Sequence, residues 1–297
     1  PISFSRNSYA LIVNTGMTGL LGLVFWFLAA RFYTPEDVGR ASALISAMTL
    51  LSAIVGINIT GTLSRFLPQS GRRTARLVLV SYGLSSLAVA ALAAGFVLTL
   101  GWWGPSFGLL ASPWAAIGFV GVAIAANIFT VQDGVLVGMR GAGWVALENT
   151  VFGVVKAGLL VLLATTLPAT GVYVAWIVPM ILLCLPVNLL VFARRVPRHA
   201  RETAGGATTG TEIRGFLAGD FIGALFGFGA IYLIPVVVAA ALPPSTFAVF
   251  YIAWMMAAVL NLVPNNLAQT LTVEGVFDAD RLARYARSAL VRSIDSS

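Results

Sequence analysis

The sequence predicts an all-α integral membrane protein, a polytopic bundle of about eight transmembrane helices. Three observations carry this. Hydrophobic residues make up 59% of the chain and charged residues 10%, with a mean hydropathy of +0.92. Soluble domains carry about 25% charged residues, so a soluble chain of this size would lack the polar surface that water requires. Eight apolar stretches reach or exceed the roughly 20 residues needed to cross a bilayer. The basic residues also alternate from one connecting loop to the next, as the positive-inside rule requires.

In chain order the stretches are residues 8–30, 41–67, 77–100, 114–137, 146–167, 171–193, 215–241 and 246–271. Gly, Pro or charge bounds each, as in "YTPEDVG", "LPQSGRR", "LPATG" and "LPPS". The first is too long for a cleaved leader, and "RFYTPEDVGR" follows it instead of a small-residue cleavage site. Arg72, Arg73 and Arg76 lie between the second and third, and Arg140 between the fourth and fifth. Arg194, Arg195, Arg198 and Arg201 follow the sixth; Arg281, Arg284, Arg287 and Arg292 follow the eighth. The alternate loops carry no basic residue apart from the first, where Arg31 and Arg40 are offset by Glu36 and Asp37. This pattern places the N-terminus in the cytoplasm.

The longest polar stretch, "RRVPRHARETAGGATTGTEIR", divides the chain into three parts. Residues 1–193 form a six-helix lobe, 194–214 a cytoplasmic linker, and 215–297 the first two helices of a second lobe with a cytoplasmic segment. A weak repeat agrees with this division. A shift that lays Pro35 on Pro244 also lays the second stretch on the eighth. Two units of equal orientation imply a pseudo-two-fold axis along the membrane normal, a plan found among transporters. The opening PISFSRNSYA, without Met, and the close at VRSIDSS read as a piece of a longer protein.

Polar residues at membrane depth are costly and mark cavities or pathways. The chain contains a single lysine, Lys156, in the apolar run "VVKAGLLVLLA". It lies eight residues beyond Glu148, hence about 12 Å deeper and close to the midplane. Folding the hairpin at "MRGAGW" brings it within about a turn of Asn127 and Asp133. Three roles stay open: an ion pair with Asp133 that holds two helices together, a cation in a central cavity facing an anionic substrate, or exposure to lipid. Glu148 and Arg140 fall near the interface, in structural positions, with Trp144 as a headgroup anchor. Asn58, Thr60, Thr62 and Ser64 suit close helix packing, as do Asn14, Thr15 and Asn188. Arg65 either snorkels or binds a phosphate at the inner mouth. Asp220 and the kink expected at Pro264, beside Asn265, are candidates for coupling or gating.

Other chemistry is missing from the sequence. His199 is the only histidine and Cys184 the only cysteine, so neither a His-based metal site nor a catalytic triad can be assembled. No phosphate loop or dinucleotide fingerprint is present. An enzyme is therefore not expected, and neither is a resident cofactor or a nucleic-acid partner.

The stretches "AARFYTPEDVGRASAL" and "GINITGTLSRFLP", together with "QDGVLVGMRGAGWVALENTVFGVVKAGLLVLLA", resemble the polysaccharide or O-antigen flippase family. That family shares the MOP superfamily with the MATE exporters and the lipid II flippases. The resemblance implies a MATE-like fold of twelve or fourteen helices in two lobes around a cavity, of which eight are present here. It implies a bacterial cytoplasmic-membrane transporter that moves an undecaprenyl-pyrophosphate-linked oligosaccharide from the inner to the outer leaflet. Membrane lipids and the polymerase and glycosyltransferases of the same pathway would be its partners. Lys156 would then hold the pyrophosphate with Asp133, Asn127 and Asn58 nearby, and Arg65 and Arg140 would be secondary contacts. Two other readings remain: a MATE-type exporter of drugs or metabolites coupled to H⁺ or Na⁺, and a non-transporting scaffold related to lipid II flippases.

Overall fold

The computed structural model describes residues 2–203 and 210–260, with side chains placed for these except 2–14, 210, 211, 214, 218 and 220–230. Every regular element among the described residues is helical. The long helices are α1 (Ile2–Phe32), α2 (Pro35–Phe66), α3 (Thr74–Leu98), α4 (Pro113–Gly138), α5 (Ala142–Leu163) and α6 (Gly171–Leu190). Short α7 (Val196–Glu202) follows, then α8 (Gly210–Ala241) and α9 (Pro244–Leu260). Among the described residues, six spans are long and apolar enough to cross a membrane. The seventh expected stretch lies within α8. The eighth begins as α9, and its remainder falls outside the described residues, as do Pro264 and Asn265.

Local chemistry sets the helix ends. Thr34 caps α2 through its Oγ1, which accepts from the Asp37 N–H at 3.2 Å, and Pro35 occupies the first turn. Glu36 and Asp37 then sit at the positive end of the helix dipole. Glu36 also pairs with Arg40 at 2.5 Å, which neutralises one of the two basic residues in the dissenting loop. At the end of α4 the Gly141 N–H reaches the Leu136 carbonyl at 2.7 Å and the Arg140 N–H reaches Val137 at 2.9 Å. This is a Schellman stop, and Arg140 holds its left-handed position with φ 57°.

The α2–α4 contact is close because α4 offers glycine at Gly134 and Gly138. A Cβ on residue 134 would lie 2.9 Å from the Thr60 Cα, and one on residue 138 the same distance from the Leu63 carbonyl. Small residues spaced by four let two helices approach where no hydrophobic force drives them together. The Thr60 hydroxyl donates to the Thr130 carbonyl at 3.4 Å across the same seam, and Ser52 to Ala123 at 3.2 Å.

The connecting segments gather at two ends. One end holds the turn at Tyr33, the 3₁₀ segment Pro105–Ala111 and the α8–α9 turn. There the Tyr33 hydroxyl donates to the Leu160 carbonyl at 2.7 Å, and Ser106 donates to Leu242 at 3.5 Å. The opposite end holds Gly71–Arg73, the α4–α5 turn, the π-helical Val191–Arg195 and α7. A His199 ring nitrogen lies 2.9 Å from the Leu67 carbonyl, and the Arg195 guanidinium 6.0 Å from the Trp144 ring. Arg72, Arg73, Arg140, Arg194, Arg195, Arg198 and Arg201 all belong to this second end. The sequence alternation is thus a separation in space: these seven arginines share one end, while the Tyr33 turn at the other carries Arg31 and Arg40 with Glu36 and Asp37.

Candidate functional site

Lys156 is buried in α5, with 4% of its surface exposed. It is the fifteenth of that helix's 22 residues, roughly 21 Å from the Ala142 end and roughly 10 Å from the Leu163 end. Along α5 it is thus nearer the Leu163 end. It lies one turn from Leu160, whose carbonyl receives the Tyr33 hydroxyl.

Three aromatic rings surround the ammonium. Its Nζ is 3.6 Å from the Trp176 ring centroid, 4.6 Å from Phe152 and 5.2 Å from Phe25. Phe152 precedes the lysine by four residues, so it shares the same face of α5. Trp176 comes from α6 and Phe25 from α1. The three rings brace one another edge to face: Phe25 and Trp176 are 5.2 Å apart, Phe152 and Trp176 5.8 Å. Trp26 extends the group, lying 5.9 Å from Trp176 and 4.8 Å from Tyr251 of α9. Ring faces carry negative quadrupole density, and a desolvated cation gains about 2 kcal/mol or more from such contacts.

The ion pair with Asp133 does not form. Among the described residues Lys156 has no carboxylate within 4.0 Å and no hydrogen-bond acceptor. Asp133 instead accepts from the Asn149 amide at 3.2 Å, and Glu148 accepts from Gln132. These two rungs fix the register of the α4–α5 hairpin. Counting on from them sets Lys156 level with residues 124–126, two turns from Asp133. Asn127 is also turned away, for its amide donates to the Ser85 hydroxyl at 2.9 Å on the α3 side. Asn58 bonds within its own helix, to the Ile54 carbonyl at 3.2 Å.

Glu148 is not at a wet interface: it is 4% exposed. The Asn188 amide of α6 donates to the Gln132 carbonyl oxygen at 2.6 Å, and Gln132 in turn donates to Glu148. Arg140 is exposed in the α4–α5 turn. Arg65 is exposed at the basic end of α2, where its guanidinium covers Phe216 of α8 at 4.7 Å and Phe66 at 5.5 Å. Neither arginine belongs to the lysine cage. The Asp220 side chain lies outside the described residues.

The structure therefore separates the expected site into two. One is a lysine in an aromatic cage, uncompensated by any acid among the described residues. The other is a set of two carboxyls and three carboxamides between α4, α5 and α6, without a basic partner among the described residues. Phe25, Trp176, Gln132 and Asn149 were not evident from sequence. Phe152, four residues from the lysine, was the only detectable clue to the cage.

Solved structures share this fold. An outward-facing multidrug resistance MATE family transporter of the MOP superfamily matches over 99% of this chain and 69% of its own, at 18% identity and a TM-score of 0.62. An inward-facing conformation of such a transporter matches over 94% and 66%, at 16% identity and 0.64. A MOP superfamily transporter from Pyrococcus furiosus matches over 99% and 68%, at 15% identity and 0.59. At such identities the likeness is one of fold, and it establishes a MATE-like, multi-pass membrane architecture. No family model and no curated protein sequence matches the chain.

Proposed function

We propose that this chain belongs to an exporter that moves an undecaprenyl-pyrophosphate-linked oligosaccharide from the inner to the outer leaflet of a bacterial cytoplasmic membrane. The observation that supports the reading is Lys156: a buried ammonium that, among the described residues, has no acid beside it and is held by ring faces. Burying a lone charge costs several kcal/mol unless something compensates it. Three rings compensate in part, and an arriving anion would do so far better. A pyrophosphate is a dense anion, and lysine binds phosphate as a compact point charge. Arg65 and Arg140 act at the cytoplasmic mouth, with the N-terminus on that side. The membrane-bound polymerase and glycosyltransferases of the same pathway supply and consume the cargo.

A MATE-type exporter of cationic drugs fits the fold equally, since the solved structures include multidrug transporters. The sign of the charge favours the anionic cargo, because an uncompensated lysine repels a cation. The Pyrococcus transporter is described as having a binding pocket of reverse polarity that suggests a different function. Pocket sign therefore varies on this fold.

The test uses the full-length gene in cells whose own flippase is deleted, scoring surface polysaccharide at equal membrane abundance. Wild type and Lys156→Arg restore the polysaccharide; Lys156→Ala does not. Failure of the wild type to restore it, or full restoration by Lys156→Ala, overturns the reading.

A further inference from the structure

Arg195 closes the π-helical segment that follows α6. The Val196 N–H bonds to the Val191 carbonyl, five residues back, and Pro197 has no N–H with which to restore the four-residue ladder. From this segment Arg195 reaches the α4–α5 turn. One guanidinium nitrogen lies 3.3 Å from the place a Cβ on residue 141 would take, and the group's centre is 6.0 Å from the Trp144 ring. The side chain is half-buried, yet among the described residues it has no carboxylate within 4.0 Å and no hydrogen-bond acceptor. Five N–H donors thus stand beside a ring face with nothing on the chain to receive them.

The preceding residue adds to this charge. Arg194 is exposed and lines a hollow of about 440 Å³ with Arg198 and Arg201. Glu202, the acid among the described lining residues, pairs with Arg198 at 2.8 Å, which leaves Arg194 and Arg201 to an outside anion. Apolar surface begins where the arginines stop. Trp144 is 43% exposed and heads a stripe on α5 that continues through exposed Leu147 and Val151. On α6, which packs against α5, exposed Leu182, Leu185 and Leu189 lead down to Ala193 and Arg194. Side chains at these spacings share a helix face. In a membrane bundle such faces meet acyl chains, and a tryptophan at their end sits at headgroup depth.

We infer that Arg194 and Arg195, with Trp144, form a binding site for an anionic membrane phospholipid. The two guanidiniums hold the phosphate, and the acyl chains lie along the exposed stripes of α5 and α6. Arginine's planar fork bonds phosphate oxygens two at a time, and it stacks on aromatic faces as Arg195 does on Trp144. A zwitterionic headgroup brings its own cation, which the arginines repel, so the site selects net negative charge. Trp144 precedes Lys156 by about 18 Å along α5, so this site is separate from the cage proposed for the cargo.

Binding is tested on the purified full-length protein in neutral detergent, free of cargo. It is titrated with phosphatidylglycerol and, separately, with phosphatidylcholine of the same chains. Native mass spectrometry counts the lipids retained by wild type, by Arg194→Gln combined with Arg195→Gln, and by Arg31→Gln at the opposite end. Each arginine near an anionic surface is worth a factor of about five, so the double variant should bind phosphatidylglycerol about 25-fold more weakly. Arg31→Gln should bind as wild type does, and phosphatidylcholine should bind all three equally weakly. A photoreactive phosphatidylglycerol should label the wild type beside Trp144 and Arg195. Equal retention of the two lipids by wild type, or a double variant that keeps the preference, overturns the site. Displacement of the lipid by inorganic phosphate also overturns it and identifies a soluble anion instead. If the double variant does not fold, the position of the label decides, and labelling confined to other segments overturns the site. The flippase reading is unaffected by any of these results, since it is scored on surface polysaccharide.

Discussion

The Nζ of Lys156 lies 3.6 Å from the centre of the Trp176 ring, with no carboxylate beside it among the described residues. A membrane helix thus shields its single lysine with π-electron density from a neighbouring helix. Trp176→Ala removes the closest ring and leaves a cavity, a change that costs about 3 kcal/mol for a large aromatic. Trp176→Phe keeps a ring face and should lose less than half as much. Chemical unfolding in detergent, followed by tryptophan-independent circular dichroism, measures both.

Tyr33 and Gly171 make a second contact that can be tested by a double-mutant cycle. The Tyr33 hydroxyl donates to the Leu160 carbonyl, and a Cβ on residue 171 would strike that same hydroxyl. Tyr33→Phe should cost about 1 kcal/mol for the lost hydrogen bond. Gly171→Ala should cost more alone than in the Tyr33→Phe background, where the closest of its contacts with the ring is removed. Equal costs in both backgrounds would refute the contact.

Gly39 lies against the backbone of Pro244, and Gly104 against that of Ala240. Gly39→Ala places a methyl group on the Pro244 carbonyl, an overpacking worth about 1–3 kcal/mol. The α8–α9 turn should move away from α2. Disulfide formation between Ser106→Cys and Leu242→Cys, a pair at the same end, should fall about ten-fold in that background.

Arg140 holds a left-handed backbone, which costs a non-glycine residue about 1 kcal/mol. Arg140→Gly should therefore raise stability by about that much. If the arginine serves the cargo at the inner mouth, the same variant should lower surface polysaccharide. A variant that gains stability and loses transport separates the two roles.

Much of the bundle was legible because lipid imposes length and polarity on each helix. The alternation of arginines likewise anticipated which loops would share an end. The candidate site was less legible. Lys156 stood out by rarity, but Phe25 and Trp176 were two aromatics among many in apolar helices, and nothing local tied them to α5. The Asp133 pairing failed on register. A register error of about one turn about the Arg140 stop exchanges one facing set for another, and the Schellman geometry that fixes the stop uses an arginine where glycine would be the usual signal. Glu148 was misplaced for a related reason: distance along the chain from a turn does not say which face a side chain takes.

Trp26 touches Trp176 on one side and Tyr251 of α9 on the other. Trp26 thus links the cage that shields the lysine, through Trp176, to the contact that joins α9 to α1. Thermodynamic linkage makes any such sharing reciprocal. A ligand that draws the ammonium out of its cage weakens the hold of α1 on α9, and parting of those helices makes the ammonium easier to draw out. Under the proposed function, cargo charge would then act as an allosteric effector of lobe separation, with one indole as the element both equilibria share.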